Sequence, residues 1–303
     1  MTKTAGHPVL TAARPVSGTG SACGTSGELV QGVIPEGDFM VTFPIDLEVH
    51  AEARTSPAPG LEVWPQHKVK ARSAVLSLLR MLGKRPGPGE GVRVQISSPI
   101  PDGKGMASSS ADIVAACRAV ADLHGVELTD EVLAALACGV EPSDAVMIEH
   151  PVVFDFLRGR VLRDPGRPLP VLAVVVDPGG SVDTVNFRRL PYDAEERELI
   201  GRAHDMAVGG LLTQDLSAVG AAATISARVN QRRHSKKALE QLLPVALGHG
   251  GHGVSVAHSG TTLAMLFDPH DTRRAHEAAR EAAALAPTAQ ISFLRGRTPV
   301  TPS

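Results

Sequence analysis

The 303-residue sequence predicts an α+β fold in two halves, and three observations carry that prediction. Segments with strand periodicity and segments with helix periodicity both occur before residue 160. The pattern then restarts with a fresh apolar strand from about Val171. Between them, RGRVLRDPGRPLP carries the Arg, Gly and Pro content of a linker. The predicted organisation is a loose tail over residues 1–20, a first domain over 21–165 and a second over 166–303.

The elements follow in order. Residues 39–44 and 46–53 contain two short β-like runs joined at Pro44. Residues 68–82 place Val75, Leu78, Leu79 and Leu82 at helical spacing, and RPGPGEG (85–91) breaks the pattern. GVRVQIS then alternates Val92, Val94 and Ile96 with polar residues, as a half-buried strand does. Ile113, Ala116, Cys117, Val120 and Leu123 mark a helix that Gly125 stops, and a shorter helix covers 131–137. In the second half VLAVVVD reads as a strand ending in the turn DPGG. Helices are predicted around 194–208, 212–228 and 235–247, then the strand pair GVSVAHSG and TTLAMLFD, then an Ala-rich helix over 271–286.

Composition narrows the function. Hydrophobic residues are 43% and charged residues 20%, which suits a globular protein with a proper core. Aromatics at 3% and a net charge of −2 argue against nucleic-acid partners. No stretch approaches the roughly eighteen apolar residues of a membrane span, and the N-terminus lacks a secretory apolar block. The expectation is a cytoplasmic globular protein. Cys23, Cys117 and Cys138 are odd in number and lack CxxC spacing, which argues against disulfides or structural zinc. His249, His252 and His258 fit no metal-binding spacing. The basic run RVNQRRHSKK (228–237) reads as a solvated helix face.

The chemistry concentrates in PIPDGKGMASSSAD, residues 99–112, where a strand leads through Gly103 and Gly105 into a helix. Glycines let backbone approach a ligand closely, and the free N–H groups of a helix's first turn favour an anion. Ser108, Ser109 and Ser110 can donate to phosphate or ligate Mg²⁺, or they can simply cap the helix. Lys104 adds a positive charge at the rim. No GxxxxGK[ST] loop is present. GHGGHG (248–253) spells a dinucleotide fingerprint but lies between a helical and a strand-like segment, the inverse of what that fingerprint needs.

The segment resembles the second signature of the GHMP kinases, P-x-G-x-G-L-G-S-S-A. Pro101, Gly103, Gly105, Met106, Ala107, Ser108, Ser109 and Ser110 fall on it, with Met106, Ala107 and Ser110 as departures. CGTSGELVQG (23–32) is similar to the family's first motif, and GVSVAHSGTTLAMLFD (253–268) lies where the third is expected. Together with VEPSDAVMIEHPVVFDF, the wording is most similar to a branch acting on an amino-acid hydroxyl in cobalamin assembly.

The resemblance implies a two-domain α+β fold with the active site in the cleft between the domains. It implies ATP and Mg²⁺ as cofactors and L-threonine as phosphoryl acceptor, with L-serine or L-homoserine as alternatives. A catalytically silent nucleotide-binding regulator is the alternative of another class. ATP would be held by Pro101, Asp102, Gly103, Lys104, Gly105, Met106, Ala107, Ser108, Ser109 and Ser110, and Mg²⁺ by Ser109. Asp144 is the expected catalytic carboxylate, with helix capping as its plain alternative. Gly27, Glu28, His258 and Ser259 are the expected substrate-binding set, Glu28 to meet the ammonium or to support the lid. Where a related pattern has a further Mg²⁺ carboxylate this chain has Leu133, which leaves that ligand open with Glu131 as the substitute, while Glu141 could bind metal or cap.

Overall fold

The longest strands come from the least strand-like sequence. In the computed structural model, which describes residues 17–85, 89–180 and 190–297, β1 (Ser17–Ile34) and β2 (Gly37–Ser56) form a long antiparallel pair. The tail up to residue 16 and residues 86–88 of the breaker loop lie outside the described residues. Ser17 to Gly20 belong to β1 rather than to a tail. Their small residues have a packing reason. A Cβ on Gly18 would lie 2.2 Å from the Leu123 amide nitrogen, and one on Gly20 would lie 2.4 Å from the Ala115 carbonyl. Both belong to α2 (Ser108–Leu123), which lies directly on the strand.

β2 passes straight through Pro44, so the two predicted runs are one strand. A proline is tolerated where the ladder needs no N–H. Pro44 faces Thr25 within an irregular register, between the pairs Cys23↔Glu48 and Glu28↔Thr42.

Next come β3 (Leu61–Trp64), α1 (Val69–Met81) and β4 (Gly91–Ser97). After α2 the chain forms α3 (Asp130–Cys138), β5 (Val153–Asp155) and β6 (Arg160–Arg163). β6 occupies part of the stretch read as a linker and pairs with β5, which itself pairs with β2 at Met40 and Val41. The rest is β7 (Leu172–Asp177), α4 (Ala194–Thr213), α5 (Leu216–Asn230), α6 (Leu239–Gly248), β8 (Gly253–Val256), β9 (Leu263–Phe267), α7 (Thr272–Leu285) and β10 (Gln290–Arg295). GHGGHG joins α6 to β8, a helix-to-strand loop.

The sheet order is β10-β7-β9-β8-β1-β2-β4-β3, antiparallel except for β3 with β4. Along the named strands its two halves meet at the pair Glu28↔Val256, and an isolated bridge also joins Ile45 to Gly296. One core gathers around β1, β2, α1 and α2 and takes in Ile200, Ala203, Val219 and Ala222 from α4 and α5. A smaller core lies between β7, β8, β9 and helices α6 and α7. α2 is buried nearly all round, and burial of its many alanines lets strands pass on more than one side. Its N-terminus is thereby fixed at the seam of the sheet.

Candidate active site

α2 begins without a side-chain cap. The residue before it, Ala107, is left-handed (φ 58°, ψ 28°), and no serine hydroxyl bonds to the first-turn amides. The capped-turn alternative is therefore set aside by the geometry. The helix's positive end opens into a cleft of about 440 Å³ lined by Gly103, Gly105 and residues 106–110.

A second loop, residues 257–262, holds the first in place. Lys104 O accepts from Thr261 N at 3.1 Å, Thr262 N at 3.3 Å and Thr262 Oγ1 at 3.1 Å. The contact leaves no room for side chains, since a Cβ on Gly260 would lie 2.2 Å from Lys104 O. From the other side Thr25 N donates to Met106 O at 3.1 Å.

Two acidic residues of the segment after α3 reach the serines, Glu141 through its carboxylate and Asp144 through its backbone N–H. Glu141 N–H still bonds to Ala137 O, and Ser143 N–H bonds to Phe156 O, which fixes the segment at both ends. Ser109 Oγ donates to Glu141 Oε1, and Lys70 Nζ donates to Glu141 Oε2. Asp144 N donates to Ser110 Oγ at 3.2 Å. Asp144 itself is half-buried on the cleft wall. Burial first, and then the charges of Glu28 and Glu141, push its carboxyl up to about 8.

Glu28 sits at the seam of the sheet, 4% exposed, and lines the cleft. Its Oε2 accepts from His258 N at 2.7 Å and faces His258 Nδ1 at 3.3 Å. Ser226 Oγ accepts from Gln31 N at 3.1 Å and lies 3.1 Å from His258 Nε2. Ser226 Oγ and Glu28 Oε2 thus bracket the two ring nitrogens of His258, and Val256 O lies 3.3 Å from Nδ1. Gly27 lies outside the cleft lining, at φ +67°, where a Cβ would come within 2.8 Å of the Ala257 amide nitrogen. Its part is to let β1 lie close on β8. Ser259 lines the cleft beside His258.

Some predicted residues stand elsewhere. Pro101 is exposed and outside the lining. Lys104 is not a free charge at the rim, because its Nζ binds Asp177 at 2.8 Å and Gly180 O at 2.6 Å. Asp102 lines the cleft but is spent on Lys68, at 2.9 Å. Glu131 is exposed on the first turn of α3 and away from the cleft, leaving Glu141 beside Ser109. The histidines diverge: His249 Nε2 meets Glu281, while His252 Nδ1 meets Ser217 Oγ. The basic run is no solvated helix face. Arg233 is stacked on Tyr192 and bound to Glu196, and Lys236 is buried with its Nζ on Gly260 O. Burial pushes the Lys236 ammonium down to about 8.

Sequence reading missed Lys68, Lys70 and Asp112. Lys68 Nζ bridges Asp102 and the buried Asp112, the latter at 2.8 Å. A signal was present: Lys68 and Lys70 stand at the N-terminus of α1, where no acidic residue offsets the helix dipole. Cations placed there need carboxylates from another element, and α2 and the Glu141 segment supply them.

Comparison with known proteins decides the family. Residues 69–151 match the model described as GHMP kinases N terminal domain, and residues 207–285 match GHMP kinases C terminal. The chain belongs to the GHMP kinases. This kinase is similar to an L-threonine kinase of Salmonella typhimurium, 29% identical over 257 residues, covering 84% of this chain and 83% of the relative. It is likewise 29% identical to an L-threonine kinase of Citrobacter freundii over 246 residues, covering 80% of this chain and 83% of that one. In fold it is similar to homoserine kinase from Cytophaga hutchinsonii, with a TM-score of 0.76 at 17% identity, covering 96% and 98% of the two chains. It is also similar to phosphomevalonate kinase from Streptococcus pneumoniae, with a TM-score of 0.67 at 14% identity, covering 93% and 100%. The expected two-domain α+β kinase architecture is borne out. Among the described residues no helix is long and apolar enough to cross a membrane.

Proposed function

We propose that this kinase is a cytoplasmic enzyme that uses ATP and Mg²⁺ to phosphorylate the side-chain hydroxyl of L-threonine, giving ADP and O-phospho-L-threonine. The observation that carries the reading is the similarity to two L-threonine kinases over four fifths of the chain or more. The division into residues 21–165 and 166–303 assigns the glycine loop and Asp144 to the first part, and His258 and Ser259 to the second.

Phosphoryl transfer asks mainly for positioning and charge neutralisation. The uncapped first turn of α2 and the loop amides from Gly103 to Ser109 receive the phosphates. Ser109 and Glu141 present adjacent hard oxygen donors, which suits a cation that keeps several waters. Ser109 and Glu141 would hold Mg²⁺, which when bound would neutralise phosphate charge, and Lys70 adds a positive charge beside them. In the reaction the threonine oxygen bonds to the γ-phosphorus as the bond to the bridging β–γ oxygen breaks. Asp144 orients or accepts the hydroxyl proton. Glu28, held by the Ser226–His258 pair, faces the substrate ammonium, whose positive charge favours the ionised form of Asp144.

The same chemistry on L-serine or L-homoserine is the second reading, and the fold likeness to homoserine kinase is what keeps it in view. A silent regulator is disfavoured by the joint placement of Ser109, Glu141 and Asp144 around one cleft. By resemblance, the product is the precursor of the aminopropanol linker of cobalamin. The test is ADP release with L-threonine, D-threonine, L-serine and L-homoserine. Preference for L-threonine supports the assignment, and turnover with none of them overturns it.

A further inference from the structure

Asn230 ends α5, one helical turn beyond Ser226 and on the same face. It is 2% exposed and lines the cleft, yet its Nδ2 has no hydrogen-bond partner among the described residues. A buried amide left unpaired is costly, so its retention in a ligand cleft asks for a ligand acceptor.

The cationic side chains of the cleft are already committed. Lys68 is held by Asp102 and Asp112, and Lys70 by Glu141. Arg233 places all five of its N–H groups. Nε donates to Leu190 O, Nη1 to Glu196 and Val229 O, and Nη2 to Glu196 and Pro191 O. Both ring nitrogens of His258 are engaged, with Ser226 and Glu28. Lys236 lies behind the lining on Gly260 O. Acceptors, in contrast, are plentiful, since Glu28, Asp38 and Asp144 all face the cleft. An amino acid entering it therefore finds carboxylates for its ammonium and no uncommitted Lys or Arg for its own carboxylate. Of the neutral donors Gln31, Ser259 and Asn230 in the lining, it is Asn230 that is buried with its N–H₂ unpartnered among the described residues.

We propose that Asn230 Nδ2 donates to the α-carboxylate of the amino-acid substrate and sets the preference for a free carboxylate. This rests on the kinase reading above. Asn230 is placed by its neighbours for the task. Its own carbonyl accepts from Arg233 N at 2.8 Å and His234 N at 2.9 Å, which locks the helix end.

The test uses the full-length enzyme, steady-state kinetics with L-threonine and with L-threoninamide, and thermal unfolding without ligand. Asn230→Ala should raise KM for L-threonine about 10- to 100-fold, the loss of a hydrogen bond to a charged group, and leave KM for ATP unchanged. Asn230→Asp, which is isosteric, should raise it further by like-charge repulsion and shift the kcat/KM ratio toward L-threoninamide. Asn230→Ala should leave the unfolding midpoint nearly unchanged, because its Nδ2 gives up no bond among the described residues, whereas Asn230→Asp, which buries an unpaired carboxylate, should lower it. An unchanged KM and an unchanged substrate ratio in both variants would overturn the assignment. So would a fall in stability accompanied by equal losses for ATP and L-threonine, the mark of a structural role. Wild-type enzyme that turns over no amino acid would instead refute the kinase reading, and this assignment with it.

Discussion

Asp144→Asn is the substitution with the most to say. In the free protein the Asp144 carboxyl is pushed up to about 8 by burial and by the neighbouring charges of Glu28 and Glu141. An unfolded aspartate loses its proton near 3.8. Between those values the unfolded chain has released a proton that the folded chain keeps, so wild-type stability falls as pH rises and levels off above about 8. At about 1.4 kcal/mol per pH unit the ceiling is about 6 kcal/mol, and water in a half-open cleft reduces this to roughly 2 kcal/mol. The asparagine variant has no such proton to lose. Its stability should match the wild type near pH 4 and exceed it by about 2 kcal/mol at pH 8.5. Urea unfolding at the two pH values reads the difference. In kinetics, wild-type kcat/KM for the amino acid should rise about tenfold per pH unit below about 8, and the variant should lose that limb along with about 10²- to 10⁴-fold in kcat. A variant less stable than wild type at pH 8.5, or one with the wild-type pH profile, would refute the reasoning.

Other consequences are as direct. Ser109→Ala and Glu141→Gln should each cut kcat at least about 100-fold and raise the Mg²⁺ concentration needed for half-maximal rate, with little change in unfolding midpoint. Ala107→Gly should stabilise the protein by about 0.5–1 kcal/mol in urea unfolding, because a left-handed backbone suits glycine and strains alanine. Lys236 is depressed to about 8 in the folded state and stays protonated to about 10.5 when unfolded, so it makes stability rise with pH between those values. Lys236→Met should abolish that rise. Gly260→Ala drives a methyl to 2.2 Å from Lys104 O, and should raise KM for ATP at least about 10-fold as the two loops part.

How far the sequence could be read depended on where the signal lay. Periodicity found α1, α2, β4 and the strand pair β8 and β9, because each has a clear solvent face or a clear apolar run. It missed β1, whose Gly, Ser and Thr residues reflect contact with α2 rather than strand propensity. It split β2 at Pro44, because nothing local announces an irregular register opposite. The glycine loop was legible as a motif, but its long partner contacts were not. Lys104 turned toward Asp177, seventy-odd residues onward, and Lys236 toward Gly260. Asn230 was invisible for the same reason: its importance is an unmet bond in three dimensions, and a single asparagine at a helix end reads as an ordinary stop.

The central claim is tested most directly by identifying the phosphorylated product. Incubated with ATP, Mg²⁺ and an equal mixture of L-threonine, L-serine and L-homoserine, the enzyme should yield O-phospho-L-threonine as the dominant product by phosphorus NMR and mass spectrometry. A dominant phosphoserine or phosphohomoserine signal, or ATP consumed without any phosphorylated amino acid, would contradict the account.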